Sequence, residues 1–292
     1  MSGSDNSPEM IRTRGDGVDI QVARWRGEGR TIFCVHGLTA NCRCWDNLAA
    51  ALVPRFDLVA PDLRGRGLSE KPANGYDVEQ HGRDLATVIE KLGIRRPVLM
   101  GHSLGALIAL SFAARWPEQT AGLVLIDGAG SLTAAQLQNV LTGIQPALDR
   151  LGAVFPSFDD YTTRLKQASF LQPWSEALER YFRYEVEEVP GGVRSRVAPE
   201  TIRQEIENLK KVDAVNYYPL VQCPVLILQA TDGTLSPDDR VLPESAVRQM
   251  LAEIPAVRCV RVDGTHHYSI LFQPHPGRDH ALENFLAEIT YP

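Results

Sequence analysis

The chain has 292 residues, of which 44% are hydrophobic and 23% are charged, and its formal net charge at pH 7 is −6. This acidic balance argues against the basic surface that nucleic acids and anionic membranes require, so we expect neither as a partner. With 5 cysteines, an odd number in a long chain, we expect reduced thiols rather than a disulfide framework.

The first patterned segment is a hairpin. Residues 10–26 alternate apolar and polar side chains around Gly15-Asp16-Gly17, which is typical of two antiparallel strands joined by a tight turn. We expect residues 1–9 to be a disordered N-terminus and the folded core to begin at residue 10.

Short apolar runs that end in small or polar residues follow the hairpin and predict buried parallel strands. These runs are 31–37, 56–62, 97–102, 122–128, 224–232 and 257–264. Between them lie segments with helical spacing, such as residues 77–93, where Asp77 and Gln80 can form a capping box. Strands that alternate with helices predict an α/β fold, a mostly parallel sheet with helices on both faces, built here from residues 10–129 and 212–292.

The run Val98 to Leu110 is interrupted by Gly101-His102-Ser103-Leu104-Gly105. A G-x-S-x-G sequence between a strand and a helix predicts a nucleophile elbow, in which small neighbours allow a strained turn that exposes the serine hydroxyl. We therefore predict that Ser103 is a catalytic nucleophile. A phosphate-binding glycine loop or a plain turn is the alternative for this pattern alone.

Two further loops support the elbow. After the strand at residues 31–37, His36-Gly37 lets the backbone turn, so we expect the N–H groups of Leu38 and Leu104 to form an oxyanion hole. The loop at residues 61–72 contains Asp62, Arg64 and Ser69, which we expect to organise that loop by hydrogen bonds rather than to react.

No buried strand is predicted from about residue 130 to about residue 211, a span too long for a loop. Its helix-like stretches carry many aromatic residues, so we predict a helical cap, or lid, over residues 130–211. Three of these aromatics, Phe158, Trp174 and Tyr184, are our candidates for substrate contact. The alternative is that they pack the cap's own small core.

An acid and a histidine follow in the order that such a fold requires. Asp232 follows a buried strand in a loop that Gly233 frees, whereas Asp127 stands directly at the end of another strand, where an aspartate commonly anchors a turn. We predict Asp232 as the acid and keep Asp127 as its alternative. His266 and His267 are the two candidate bases near the C-terminus.

The H-G, D-x-R-G-x-G-x-S, G-H-S-x-G, strand-Asp and terminal Gly-x-x-His elements, in this order, resemble the α/β-hydrolase fold superfamily. The resemblance implies a triad of Ser103, His267 and Asp232, because the family places an apolar or aromatic residue such as Tyr268 after its catalytic histidine. It also implies that His102 packs beneath the nucleophile. The dehalogenases and epoxide hydrolases of this superfamily use an aspartate nucleophile, so the serine at position 103 argues against both.

We therefore predict a serine hydrolase, a carboxylesterase, that cleaves small to medium, partly apolar esters or related carbonyl substrates through an acyl-enzyme. The alternatives are lactone or C–C bond hydrolysis with the same triad and, outside enzymes, a ligand-binding protein on this scaffold. We expect no metal and no cofactor, since Cys42 and Cys44 lack a second ligand pair. The chain has no signal-like or membrane-spanning pattern and is expected in the cytoplasm. The sequence is compatible with a homo-oligomer.

Overall fold

A mostly parallel sheet forms the centre of the computed structural model, which describes residues 7–289. The described strands are β1 (Glu9–Arg14), β2 (Asp19–Trp25), β3 (Thr31–Val35), β4 (Asp57–Pro61), β5 (Val98–His102), β6 (Gly122–Ile126), β7 (Val186–Val189), β8 (Gly192–Ser195), β9 (Val225–Ala230) and β10 (Val257–Val262). Eight of them form one sheet in the order β1-β2-β4-β3-β5-β6-β9-β10.

Strand direction agrees with the sequence. β1 and β2 form the predicted antiparallel hairpin, and β2 joins the rest of the sheet antiparallel to β4. The remaining neighbours, from β4 across to β10, pair in parallel. Their carboxyl ends therefore meet at one edge of the sheet, which is where the loops after β3, β5 and β6 come together.

Eleven α-helices lie in the described residues. They are α1 (Asp46–Leu52), α2 (Val78–Lys91), α3 (Leu104–Arg115), α4 (Ala134–Gly143), α5 (Gln145–Asp149), α6 (Phe158–Gln167), α7 (Glu176–Glu185), α8 (Pro199–Leu209), α9 (Glu244–Glu253), α10 (Ser269–Phe272) and α11 (Pro276–Glu288). Half of the predicted capping box of α2 forms: the Asp77 side chain accepts the N–H of Gln80 at 2.8 Å, but the Gln80 side chain bonds Asp16 and Arg83 instead of the Asp77 N–H.

The helices cover both faces of the sheet because strand side chains alternate in direction. On β3, Phe33 belongs to a core shared with α2, α3 and α9, whereas Ile32 and Cys34 belong to a second core shared with α1 and α11. This burial on both sides explains why the parallel strands read as continuous apolar runs. Within residues 7–289, no helix combines the length and the apolar character that a bilayer crossing needs.

The segment between β6 and β9, which we call the insertion, holds α4 to α8 and a β-hairpin. No buried strand was predicted there, and the structure adds a partly buried pair that the prediction of a helical segment did not include: β7 and β8 pair antiparallel with Val189 opposite Gly192. Pro190 and Gly191 form the two-residue turn, and Gly191 has a φ of 93° that favours glycine. The two strands are only partly buried, so they lack the apolar run that marks the central strands.

The N-terminal boundary also differs slightly from the prediction. Glu9 already pairs with Arg24 in the hairpin, so the strand begins one residue before the expected core. The expected disorder of residues 1–6 falls outside the described residues.

Candidate active site

Ser103 stands at the corner between β5 and α3. Its φ of 57° and ψ of −123° are rarely populated by a residue with a side chain, and its N–H donates to the Ile126 carbonyl at 3.1 Å. Leu104 is the first residue of α3, so its N–H has no acceptor within the helix. This is the strand-turn-helix geometry of the predicted elbow, and it leaves the serine side chain partly exposed.

Two glycines make this turn possible. A β-carbon at Gly101 would lie 2.1 Å from the Gly105 carbonyl oxygen, and one at Gly105 would lie 2.0 Å from the Val35 carbonyl oxygen. Both distances are far below van der Waals contact, and in each case the obstacle is backbone that cannot swing aside. The elbow therefore requires glycine at both positions.

The loop after β3 lies directly against the serine. A β-carbon at Gly37 would be 3.2 Å from Ser103 Cβ. The Gly37 carbonyl accepts a hydrogen bond from His36 Nδ1 at 2.8 Å, and His36 Nε2 accepts the N–H of Leu63 at 3.0 Å. Because the peptide is planar and trans, fixing the Gly37 carbonyl also fixes the opposite direction of the Leu38 N–H. Burial lowers the pKa of His36 to about 3, so this neutral tautomer persists.

A buried ion pair connects this loop to the insertion. Arg66 donates from Nε to the Leu38 carbonyl at 3.0 Å and from Nη2 to Glu205 Oε2 at 2.8 Å. Glu205 lies on α8 and also accepts from His81 Nε2 at 2.9 Å. Burial alone raises the pKa of Glu205, but the charges of His81 and Arg66 outweigh it and lower the pKa to about 2. The pattern D-x-R-G-x-G did not single out Arg66 or Glu205.

The residues expected to organise the loop after β4 do so. Arg64 pairs with Asp84 at 2.6 Å, and the Ser69 hydroxyl donates to the Asp62 carbonyl at 2.7 Å. The Asp62 carboxylate accepts the N–H groups of Cys42 and Leu68 at 2.8 and 2.9 Å.

His267 lies at the same edge of the sheet and is 6% exposed. Its Nδ1 is 2.8 Å from Asp127 Oδ2, and Asp127 Oδ1 accepts the N–H of Ala230 at 3.3 Å. The ring of His102 stacks on the ring of His267 with centroids 4.5 Å apart, and His102 Nε2 donates to the His267 carbonyl at 2.9 Å. The carboxylate, the neighbouring ring and the backbone contact together fix the position of the imidazole.

The predicted partnership of Asp232 with His267 is wrong. Asp232 is exposed, its carboxylate accepts from the Thr231 hydroxyl at 3.2 Å, and its N–H donates to the Thr265 carbonyl at 2.9 Å. Asp127 takes its place because β5 and β6 are neighbours with His102 opposite Ile126, which sets Ser103 and Asp127 side by side. Gly128 was an overlooked signal, since a β-carbon there would lie 2.5 Å from the Ser103 carbonyl oxygen.

His266, the alternative base, has a structural contact instead. Its Nδ1 accepts the N–H groups of Tyr268 and Ser269 at 3.3 and 3.4 Å, at the start of α10. Burial is the main reason why the pKa of His266 is lowered.

A cavity of about 590 Å³ opens above Ser103 and His267. The insertion supplies most of its aromatic lining, namely Phe155, Tyr161, Phe170, Tyr181 and Phe182. Aromatic residues of the insertion thus face the site, but the three we selected are not among those that line the cavity.

Each of those three packs elsewhere. Phe158 lies under the Arg183 guanidinium at 4.2 Å from the ring centroid, and Trp174 stacks on Phe182 with centroids 5.4 Å apart. The Tyr184 hydroxyl donates to Asp62 Oδ2 at 2.6 Å and so joins the insertion to the loop after β4. Sequence spacing alone did not reveal which side of each helix faces the cavity.

The comparisons with known proteins agree with this architecture. A family model described as the alpha/beta hydrolase fold matches residues 30–274. The 2-(acetamidomethylene)succinate hydrolase of Mesorhizobium japonicum is 28% identical over 279 residues, which cover 92% of each chain.

Solved structures extend the agreement. A crystal structure of E-2-(acetamidomethylene)succinate hydrolase superposes with a TM-score of 0.82 at 25% identity, covering 96% of this chain and 100% of the other. The enol-lactonase from Burkholderia xenovorans is 19% identical with a TM-score of 0.71, covering 95% and 100%, and shares the fold. The chain belongs to the α/β-hydrolase fold family.

Proposed function

We propose that this chain is a serine hydrolase in which Ser103 attacks a carbonyl carbon, His267 moves the proton and Asp127 orients His267. The observation that carries the proposal is the 2.8 Å contact between His267 Nδ1 and Asp127 Oδ2, beside a cavity that both Ser103 and His267 line. The relatives are themselves hydrolases, which supports a hydrolytic reaction.

The roles follow from the contacts. With its Nδ1–H donated to Asp127, neutral His267 leaves its Nε2 lone pair free to accept the Ser103 proton as Oγ bonds to the carbonyl carbon. The imidazolium that forms is stabilised by the Asp127 carboxylate. It then returns the proton to the leaving oxygen as the bond between that oxygen and the carbonyl carbon breaks.

The N–H groups of Leu38 and Leu104 are our proposed oxyanion donors. Two features support this role: the Leu104 N–H stands at the first position of α3, and the Gly37 carbonyl is held by His36 so that the Leu38 N–H faces the other way. Preorganised donors of this kind stabilise the developing charge without reorganisation, and each is worth about 3 kcal/mol of barrier.

The substrate we propose is a carboxylic ester of small to medium size with an apolar acyl part, because the cavity wall is mainly aromatic and aliphatic. We further propose that the insertion acts as a cap that selects the acyl part, since it supplies most of that wall. Water then cleaves the acyl-enzyme with His267 again as the base.

Hydrolysis of short p-nitrophenyl esters tests the proposal. Ser103→Ala removes one oxygen and should abolish turnover without lowering the melting temperature. Ser131 is the control, since its hydroxyl donates to Asp213 at 3.3 Å away from the cavity lining, and Ser131→Ala should retain turnover. A Ser103→Ala protein that hydrolyses the ester at the wild-type rate would contradict the nucleophile. Lactones and C–C substrates in the same panel separate the alternative reactions of this triad.

A further inference from the structure

Two tyrosine hydroxyls in the cavity wall have no protein partner. Tyr181 on α7 and Tyr268 after the catalytic histidine both line the cavity, and within residues 7–289 neither hydroxyl makes a hydrogen bond. The polar side-chain atoms that are sealed without a partner in that part of the chain lie on other residues. Neither hydroxyl is therefore sealed in the interior, and both belong to residues of the cavity wall.

A buried ion pair stands beside these hydroxyls. Arg150 Nη2 donates to Glu185 Oε1 at 2.8 Å, and the Tyr161 hydroxyl donates to the same oxygen at 2.8 Å. Glu185 follows Tyr181 by one helical turn on α7. The Tyr181 ring also meets the ring of Phe272 with centroids 4.9 Å apart, and Phe272 follows Tyr268 by one turn, so the two tyrosines lie in the same region of the cavity wall.

Both free hydroxyls keep their protons. Burial is the main cause that raises the pKa of Tyr268 to about 12, and it raises the pKa of Tyr181 well above its ordinary value. Each hydroxyl is thus a hydrogen-bond donor at any pH at which the protein is handled. Neither donor has an acceptor in the described part of the protein, and a ligand oxygen that reaches it would supply one.

Charge balance indicates what kind of oxygen fits. The Arg150 charge is compensated by Glu185, and the cavity also meets Asp149, Asp160 and Arg164. The lining therefore holds two guanidinium groups and two carboxylates, and Glu185 lies behind it against Arg150, so no positive charge is left over for an anionic substrate group. A neutral carbonyl or ether oxygen needs no such charge and can accept from the two hydroxyl donors.

We propose that Tyr181 and Tyr268 form a subsite for a neutral oxygen acceptor that the substrate carries away from its scissile carbonyl. The subsite rests on the proposed hydrolysis by Ser103 and adds its substrate class, an oxygen-bearing ester such as a keto or alkoxy acyl ester. A single neutral hydrogen bond of this kind is worth about tenfold in kcat/KM.

The test compares p-nitrophenyl esters whose acyl chains have equal length and end in an alkyl group, contain a ketone, or end in a carboxylate. The wild-type protein should prefer the keto ester over the alkyl ester by about tenfold or more, with the carboxylate ester slowest. Tyr181→Phe and Tyr268→Phe, singly and together, should reduce the ratio of keto to alkyl kcat/KM toward one.

Tyr217→Phe is the matched control, since Tyr217 lies outside the cavity wall and should leave the ratio unchanged. Equal wild-type rates on keto and alkyl esters, or a preference for the carboxylate ester, would overturn the subsite. A protein that hydrolyses none of the three esters would instead contradict the proposed function. Melting temperatures of the variants identify any loss caused by misfolding.

Discussion

Exchanging the aspartate carboxylate for an amide separates the two candidate acids. In Asp127→Asn, one side-chain atom must face the Ala230 N–H, which Asp127 Oδ1 accepts at 3.3 Å, and the other must face His267 Nδ1. The amide oxygen satisfies the Ala230 N–H, so the NH₂ group turns toward Nδ1. Nδ1 must then accept, which moves the imidazole proton to Nε2 and leaves no base for Ser103.

The magnitude follows from this change of tautomer. Amidating a triad acid lowers kcat by about ten-thousand-fold, which corresponds to about 5 kcal/mol of barrier. Asp232→Asn changes an exposed side chain bonded to Thr231, so its effect on stability should stay within about 0.5 kcal/mol and its kcat should stay near the wild-type value.

The assay is steady-state hydrolysis of one p-nitrophenyl ester by the wild type and the two variants, with melting temperatures as the folding control. We expect a large fall in kcat with little change in KM for Asp127→Asn alone. If Asp232→Asn loses activity while Asp127→Asn keeps it, Asp232 is the acid of the triad and the contact between Asp127 and His267 has no catalytic role.

Three further outcomes are expected. Glu205→Gln should be destabilised by about 3 kcal/mol at neutral pH, because a buried guanidinium loses its counter-charge. The folded-state pKa of Glu205 lies below its ordinary value, so the contribution of Glu205 to the free energy of unfolding is complete above pH 4.5 and disappears toward pH 2. Denaturation curves of the wild type and of Glu205→Gln should therefore converge as the pH falls. Trp174→Ala should lower the melting temperature without altering the acyl-length preference, because Trp174 packs on Phe182 outside the cavity. An altered acyl-length preference at an unchanged melting temperature would show that Trp174 contacts the substrate. Gly105→Ala should give little soluble protein, because its β-carbon would meet the Val35 carbonyl; a soluble variant with a native circular dichroism spectrum would show that the elbow tolerates it.

Much of the sheet could be predicted because its signals are local. Each central strand is buried on both faces, so it appears in the sequence as a short apolar run, and the hairpin is marked by alternation around Gly15-Asp16-Gly17. The elbow was predictable for a related reason. Its two glycines are required by backbone contacts that any sequence with this turn must meet.

Local sequence could not decide which aspartate is the acid that orients His267. Asp127 and Asp232 both follow a buried strand, and the difference between them is the position of those strands in the sheet. β6 is the neighbour of β5, which carries the serine, whereas β9 is one strand farther away. Strand order is a property of the whole fold, so the preference for the more flexible loop led to the wrong residue.

The insertion was only partly predictable for a similar reason. Its aromatic content indicated contact with the cavity, but Tyr181, Phe182 and Tyr184 are close in sequence and still meet different surroundings. Tyr181 and Phe182 line the cavity, while Tyr184 reaches Asp62. The direction of each side chain depends on how α7 is set against the sheet. Composition alone does not contain that information.

Mass mapping of the protein after reaction with a fluorophosphonate tests the central claim most directly. The reagent forms a stable adduct only with a serine whose proton is removed by a neighbouring base. We predict one adduct on the peptide that contains Ser103, its loss in Ser103→Ala, and a strongly slowed reaction in Asp127→Asn. An unmodified Ser103 peptide in a protein that still hydrolyses esters would contradict the account.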